Sequence, residues 1–346
     1  MLGLGKSLGV VALALSSTAT LADEASAPTL PLRSLPAALQ IVDAYNYKPF
    51  DDAAVTARIA ATSRLQAKDG AERFDRFFGE LTGKSKLSSA LMRSVDAAVN
   101  CLKLDRADAV TQDRVSTALF EAIAAVAGGE MQLLPSELLR ESESDPARSP
   151  QFAAHRVGDL LVIDLRSMAG GETDLLKQAW IDHGKGARAL VVDLRNNGGG
   201  TLDEALALAD SLLEKGTIAT IAGRSPADRQ VFTALPGAIA PNVPIAVLIG
   251  PRTAAGAEIF AGALRGNGRA VLVGASSFGR GSIETVFIVQ PRLPLRLSTA
   301  QALLPDGSGF QGKGLTPDCV TALDSDAELE LAGHIAIGGL KECPRS

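Results

Sequence analysis

Two patterns of apolar residues divide the chain. From about Ala37 to Ala127 they recur at helical spacing, as in "FDRFFGEL" (Phe74 to Leu81) and the Ala-rich "STALFEAIAAVAG" (Ser116 to Gly128), which ends at a Gly. No strand-like alternation interrupts this stretch, so residues 30–145 are expected to form an all-helical region. Beyond "RESESDPARSPQ" (Arg140 to Gln151), a polar linker with two prolines, the pattern changes. "DLLVIDL", "ALVVDLRNN", "PIAVLIG" and "AVLVG" are short, nearly continuous apolar runs. They alternate with amphipathic stretches such as "TDLLKQAWIDHG", "LDEALALADSLLEKG" and "AGAEIFAGALRGNG". Strands apolar on both faces, separated by helices, predict an α/β core with a helix-covered sheet over 151–346. "IETVFIVQPRLPLRLSTAQALLP" predicts strands around a proline-marked turn, "DGSGFQGKGLTPD" a Gly-rich loop, and "DAELELAGHIAIGG" a last helix.

Composition narrows the function. Hydrophobic residues make up 46% of the 346 residues, enough for a sizeable core, and a net charge of −5 argues against a nucleic-acid partner. Aromatics at 4% leave little for base stacking. Residues 1–22 read as an export signal: Lys6, then the apolar "LGVVALAL", then small residues suited to cleavage after 22 or 27. That run is too short to span a bilayer, so the expectation is a periplasmic or secreted protein without stable membrane insertion. The cysteines are Cys101, Cys319 and Cys343; a Cys319–Cys343 bridge and three free thiols both fit. No spacing resembles a zinc site, His155, His183 and His334 are scattered, and no metal or cofactor is expected.

The stretch "PRTAAGAEIFAGALRG" (Pro251 to Gly266) follows a buried strand and opens a helix through a turn of small residues. Such a turn lets backbone approach a substrate closely, yet it carries no Ser, Cys, His or Lys.

Three segments in order, "LVVDLRNNGGGTLDEALALADSLLEKG", "PIAVLIGPRTAAGAEIFAGALRGNGRAVLVGASSFGRGSIET" and "LRLSTAQALLPDGSGFQGKGLTPD", resemble the carboxyl-terminal processing peptidases, or tail-specific proteases. The resemblance covers about Asp159 to Asp318 and implies a ClpP/crotonase-like core of ββα units. It also implies an exported serine peptidase that cuts proteins near their C-termini with a Ser nucleophile and a Lys base. The family's PDZ domain has no counterpart here, because "LLPSELLRESESD" and "GDLLVIDLRSM" are joined by a short linker. The family's turn reads small–Ala–Ser–Ala–small–Glu; here it is Thr253-Ala254-Ala255-Gly256-Ala257-Glu258, so the nucleophile falls on Ala255. The Lys of Phe-Gly-Lys-Gly falls on Arg280, which stays protonated and cannot act as a general base. The family's Gln falls on Glu284, whose negative charge could pair with Arg280 across a strand or turn.

Gly198, Gly199, Gly200 and Gly256 are expected to offer backbone N–H groups near the turn, and Arg280 to hold an anion. Arg280 and Glu284 as an ordinary ion pair, with the glycines merely making turns, is the plain alternative. Glu258 is expected to cap or orient the turn, and Asp193 with Arg195 to fix a strand end. Ser276, Ser277 and Ser282 flank Arg280 but not the turn, and His155 has no hydroxyl there to activate. The expectation is a catalytically inactive pseudoprotease that binds a peptide or protein, such as a C-terminal tail. One alternative is a processing serine endopeptidase held as a Ser-to-Ala variant. Another is an assembly protein acting through its helical region, whose apolar faces would pack into a bundle or a homo-oligomeric arm.

Overall fold

The computed structural model describes residues 10–11, 29–46, 52–66, 95, 98–99, 102, 107–126, 131–134, 151–290, 293–321 and 326–343. Most of the expected leader with both cleavage points, the "FDRFFGEL" segment, Cys101 and nearly all of the 140–151 linker lie outside them. In chain order the elements are β1 (Val10–Val11), α1 (Leu35–Tyr45), α2 (Asp52–Gln66), α3 (Ala109–Val126) and β2 (Met131–Leu133). They continue with β3 (Phe152–Val157), β4 (Leu160–Leu165), α4 (Glu172–His183), β5 (Ala189–Asp193), α5 (Leu202–Leu212), β6 (Thr217–Gly223) and β7 (Arg229–Thr233). The last are β8 (Ile245–Ile249), α6 (Gly256–Gly266), β9 (Ala270–Gly274), β10 (Ser282–Gln290), β11 (Leu293–Leu303), β12 (Cys319–Val320) and α7 (Asp326–Gly338). Contacts divide the chain into two compact units. One contains the elements up to β2 together with Glu284–Thr299; the other contains β3 to β9 and Ala300 onward.

In the first unit, α1 starts with Pro36 in its first turn, where a missing amide costs no helical hydrogen bond. Its Leu35, Ala38, Leu39, Ile41 and Val42 share one buried face. They pack with Val115, Leu119, Phe120 and Ile123 of α3 and with Leu295 and Leu297 of β11. Burying each such side chain contributes about 1.5–3 kcal/mol. This unit is mostly, but not wholly, helical. Met131 and Leu133 are buried and Gln132 exposed, a period of two, and β2 pairs antiparallel with β11 through Leu295↔Leu133 and Leu297↔Met131. Three residues are too few for that alternation to stand out in the sequence.

In the second unit, a six-stranded sheet runs in the order β12-β9-β8-β5-β4-β3. All neighbours are parallel except β3, which is antiparallel to β4. Leu161, Ile163, Leu190, Val192, Ile245 and Val247 pack with α4, α5 and α6. Leu160, Val162, Val191, Ala246 and Leu248 pack with Leu329, Ala332 and Ile335 of α7. Both faces are covered, which explains why these strands are apolar throughout. A hairpin of β6 and β7, not anticipated from the sequence, pairs with Ala300 to Leu303 of β11.

Helix α7 is fastened twice. Cys319 and Cys343 form a disulfide with Cα atoms 5.8 Å apart. Buried Glu328 meets Arg195 Nη1 at 2.8 Å, and Arg195 also grips Asp193 at 2.7 Å. The Asp193 contact, ahead of the Glu328 one, raises the guanidinium pKa against the opposing effect of burial. Among the described residues, no helix is long and apolar enough to cross a membrane.

Candidate active site

The register aligns the C-terminal ends of three parallel strands. Asp193 of β5 lies opposite Leu248 of β8, and Ile249 of β8 opposite Gly274 of β9. The chain leaves these ends through "NNGGG", "PRTAAG" and "SSFGRG", so three segments distant in sequence meet at the edge where open α/β sheets bind ligands.

The central turn is tied down on both sides. Fully buried Thr253 accepts from the Gly250 amide at 2.9 Å and donates to the Leu194 carbonyl at 2.7 Å. Ala254 donates to the Asn197 carbonyl at 3.0 Å, and Phe278 donates to the Thr253 carbonyl at 2.9 Å. Between these anchors Ala255 has φ 51° and ψ −117°, the one positive-φ non-glycine among the described residues. An L-residue there is strained by about 1–3 kcal/mol and persists only where its surroundings impose the conformation. The half-buried Ala255 is thus presented at the mouth of α6 in an elbow-like bend. Its side chain is a methyl group, with no atom able to attack a carbonyl.

The glycines fit by close approach. Gly199, at φ +98°, lies so near the turn that a Cβ there would meet the Ala254 carbonyl at 2.7 Å and Ala255 Cβ at 2.9 Å. At Gly200 a Cβ would collide with the Met168 carbonyl oxygen. The expected set of amide donors is corrected in one respect. The Gly199 amide turns inward and donates to Asn197 Oδ1 at 2.8 Å, while Asn197 Nδ2 donates to the Leu165 carbonyl at 2.8 Å. Among the described residues, the Gly198, Gly200 and Gly256 amides have no acceptor.

Glu258, fully buried in the first turn of α6, is the hub. Its Oε2 accepts from the amides of Ala255 (3.0 Å) and Arg280 (2.8 Å). Its Oε1 accepts from Ser277 Oγ (2.5 Å) and the Gly279 amide (2.7 Å). Burial raises the pKa of this carboxyl, and the four donors partly offset that rise. Ser277 also accepts from the Leu315 amide at 2.6 Å, so its hydroxyl is committed to structure. Ser276 is exposed, Ser282 opens β10, and His155 lies exposed on β3.

Arg280 is half-buried, and its guanidinium lies 5.3 Å from the ring centroid of exposed Phe278. The pairing with Glu284 that the sequence allows is not found. Glu284 Oε2 meets Arg296 Nη1 at 3.4 Å, because the neighbouring strand brings Arg296 beside it. Among the described residues, Arg280 has no carboxylate partner. No local motif marks Gln311. Exposed Gln311 reaches back from the Gly-rich loop, and its Oε1 accepts from the amides of Gly281 (2.6 Å) and Ser282 (2.9 Å).

The three loops therefore carry a strained elbow, amides without an acceptor among the described residues, and the Arg280 guanidinium. Amides and a guanidinium in such a set can hold an oxyanion or carboxylate. The model of peptidase family S41 matches residues 159–321, the segment that builds all three loops. This segment belongs to peptidase family S41.

A carboxy-terminal-processing protease of Bartonella bacilliformis is 39% identical over 158 residues, 43% of this chain and 36% of that protein. A probable CtpA-like serine protease of Staphylococcus epidermidis is 30% identical over 164 residues, 47% of this chain and 33% of that protein. The chain thus spans about a third of the length of these S41-like relatives. A solved lipoprotein from Streptococcus agalactiae is similar in fold, with a TM-score of 0.53 at 20% identity, over 77% of this chain and 97% of that chain.

Proposed function

We propose that this protein is an exported S41-family pseudoprotease that binds the C-terminal end of a peptide or protein and does not cut it. The observation that carries the reading is the pairing of Ala255 with Arg280. The first stands at the strained elbow where the resemblance requires a nucleophile, the second where it requires a neutral base. The elbow's strain and its anchors are kept although the attacking atom is absent. Among the described residues Arg280 has no carboxylate partner, and such a guanidinium suits a terminal carboxylate through charge-assisted hydrogen bonds of about 1.5–3 kcal/mol each. The Cys319–Cys343 disulfide and the leader-like first residues support export to an oxidising compartment.

Restoring both atoms tests the reading. Ala255→Ser with Arg280→Lys should give time-dependent cleavage of a denatured protein substrate, while the parent binds a peptide acid without cutting. A parent that binds no peptide acid would contradict the ligand assignment.

A further inference from the structure

Four consecutive backbone amides, from Gly279 to Ser282, point at two side chains. The first two donate to buried Glu258, at 2.7 and 2.8 Å. The next two converge on a single oxygen, Gln311 Oε1, at 2.6 and 2.9 Å. The two acceptors differ in kind. Glu258 is a carboxylate without solvent exposure, held by four donors; Gln311 is a neutral carboxamide on an exposed loop residue.

Two adjacent amides aimed at one point make a small concavity of positive potential, which suits a carboxylate oxygen better than a neutral carbonyl. Gly281 lets the loop approach closely, since a Cβ there would lie 3.1 Å from the Gln311 backbone nitrogen. Arg280, immediately preceding, brings a guanidinium with no carboxylate partner among the described residues.

We infer that Gln311 is a displaceable internal plug in a carboxylate subsite formed by the Gly281 and Ser282 amides with Arg280. An incoming peptide α-carboxylate replaces the carboxamide oxygen, and Gln311 swings into solvent. No bond is made or broken; two neutral hydrogen bonds are exchanged for two charge-assisted ones. This inference rests on the reading of the site as a binder of C-terminal carboxylates. It adds that the unliganded chain inhibits its own site.

The test is calorimetric titration of the full-length protein with N-acetyl trialanine as the free acid and as the C-terminal amide. Gln311→Ala should bind the acid about tenfold more tightly than the parent, because no intramolecular acceptor remains to be displaced. Gln311→Glu should bind it several-fold more weakly, because a tethered charge now competes. This second variant also answers the case in which Gln311→Ala loosens the loop.

Equal or weaker binding of the acid by Gln311→Ala, with Gln311→Glu no weaker than the parent, would overturn the plug. If the parent then still prefers acid over amide and Arg280→Ala loses that preference, the plug alone is wrong. If neither the parent nor Gln311→Ala distinguishes acid from amide, the carboxylate reading falls with it.

Discussion

Ala255 and Arg280 donate their backbone amides to the same atom, Oε2 of Glu258, at 3.0 and 2.8 Å. The two positions at which the S41 resemblance places nucleophile and base are thus held by one buried oxygen. Neither residue needs its own side chain to be in place, so catalytic atoms can be lost while the shape of the site remains.

Removing that oxygen should damage the fold and the site together. Glu258→Ala leaves three amides and the Ser277 hydroxyl without their acceptor in a buried position. The expected loss is on the order of 3 kcal/mol, read as a lower midpoint in urea unfolding. An unchanged midpoint would show that other groups hold the turn.

Glu258 also predicts a pH dependence. Its folded pKa is raised above the ordinary 4.5, mainly by burial. The folded state then holds its proton more tightly than the unfolded chain does. The associated stability is fully present below 4.5 and is lost as pH rises through the folded value. The unfolding free energy of the parent minus that of Glu258→Gln should therefore fall as pH is raised from about 4 to about 7. A difference that rises over this range would reverse the sign.

The elbow itself can be probed without chemistry. Replacing Ala by Gly ordinarily costs about 0.5–1 kcal/mol in a regular element. At Ala255, with φ 51°, the replacement relieves strain, so Ala255→Gly should be neutral or stabilising by up to about 1 kcal/mol. Thermal unfolding checks this, and a clear fall in Tm would mean the bend is not strained.

The C-terminal fastening should matter in two measurable ways. Reducing Cys319–Cys343, which closes a separation of 24 residues, should cost about 2–4 kcal/mol. Glu328→Gln, a change at a buried position that strips half-buried Arg195 of one carboxylate, should cost up to about 3 kcal/mol. Melting with and without reductant, and of the variant, separates the two.

The parts of the fold visible in sequence are those whose burial is uniform. β4, β5, β8 and β9 lie under helices on both faces and read as plain apolar runs. The β6–β7 hairpin does not, because β7 is mostly exposed and places Val231 outward. At the site, Ala255, Arg280 and Glu258 were legible because local motifs frame them. The contacts that complete it were not. Glu284 takes its partner from an adjacent strand, and Gln311 reaches amides 29 and 30 positions away. The inward turn of the Gly199 amide depends on the Asn197 side chain, which is set by tertiary packing.

The proposed site is expected to bind a peptide end and leave it intact. Purified parent protein should be incubated with a peptide bearing a free apolar C-terminus, and the mixture followed by mass spectrometry alongside a binding measurement. Saturable binding and an intact peptide at all times are the expected result. Time-dependent cleavage beyond one equivalent, co-purifying with the protein and abolished by Arg280→Ala, would contradict it.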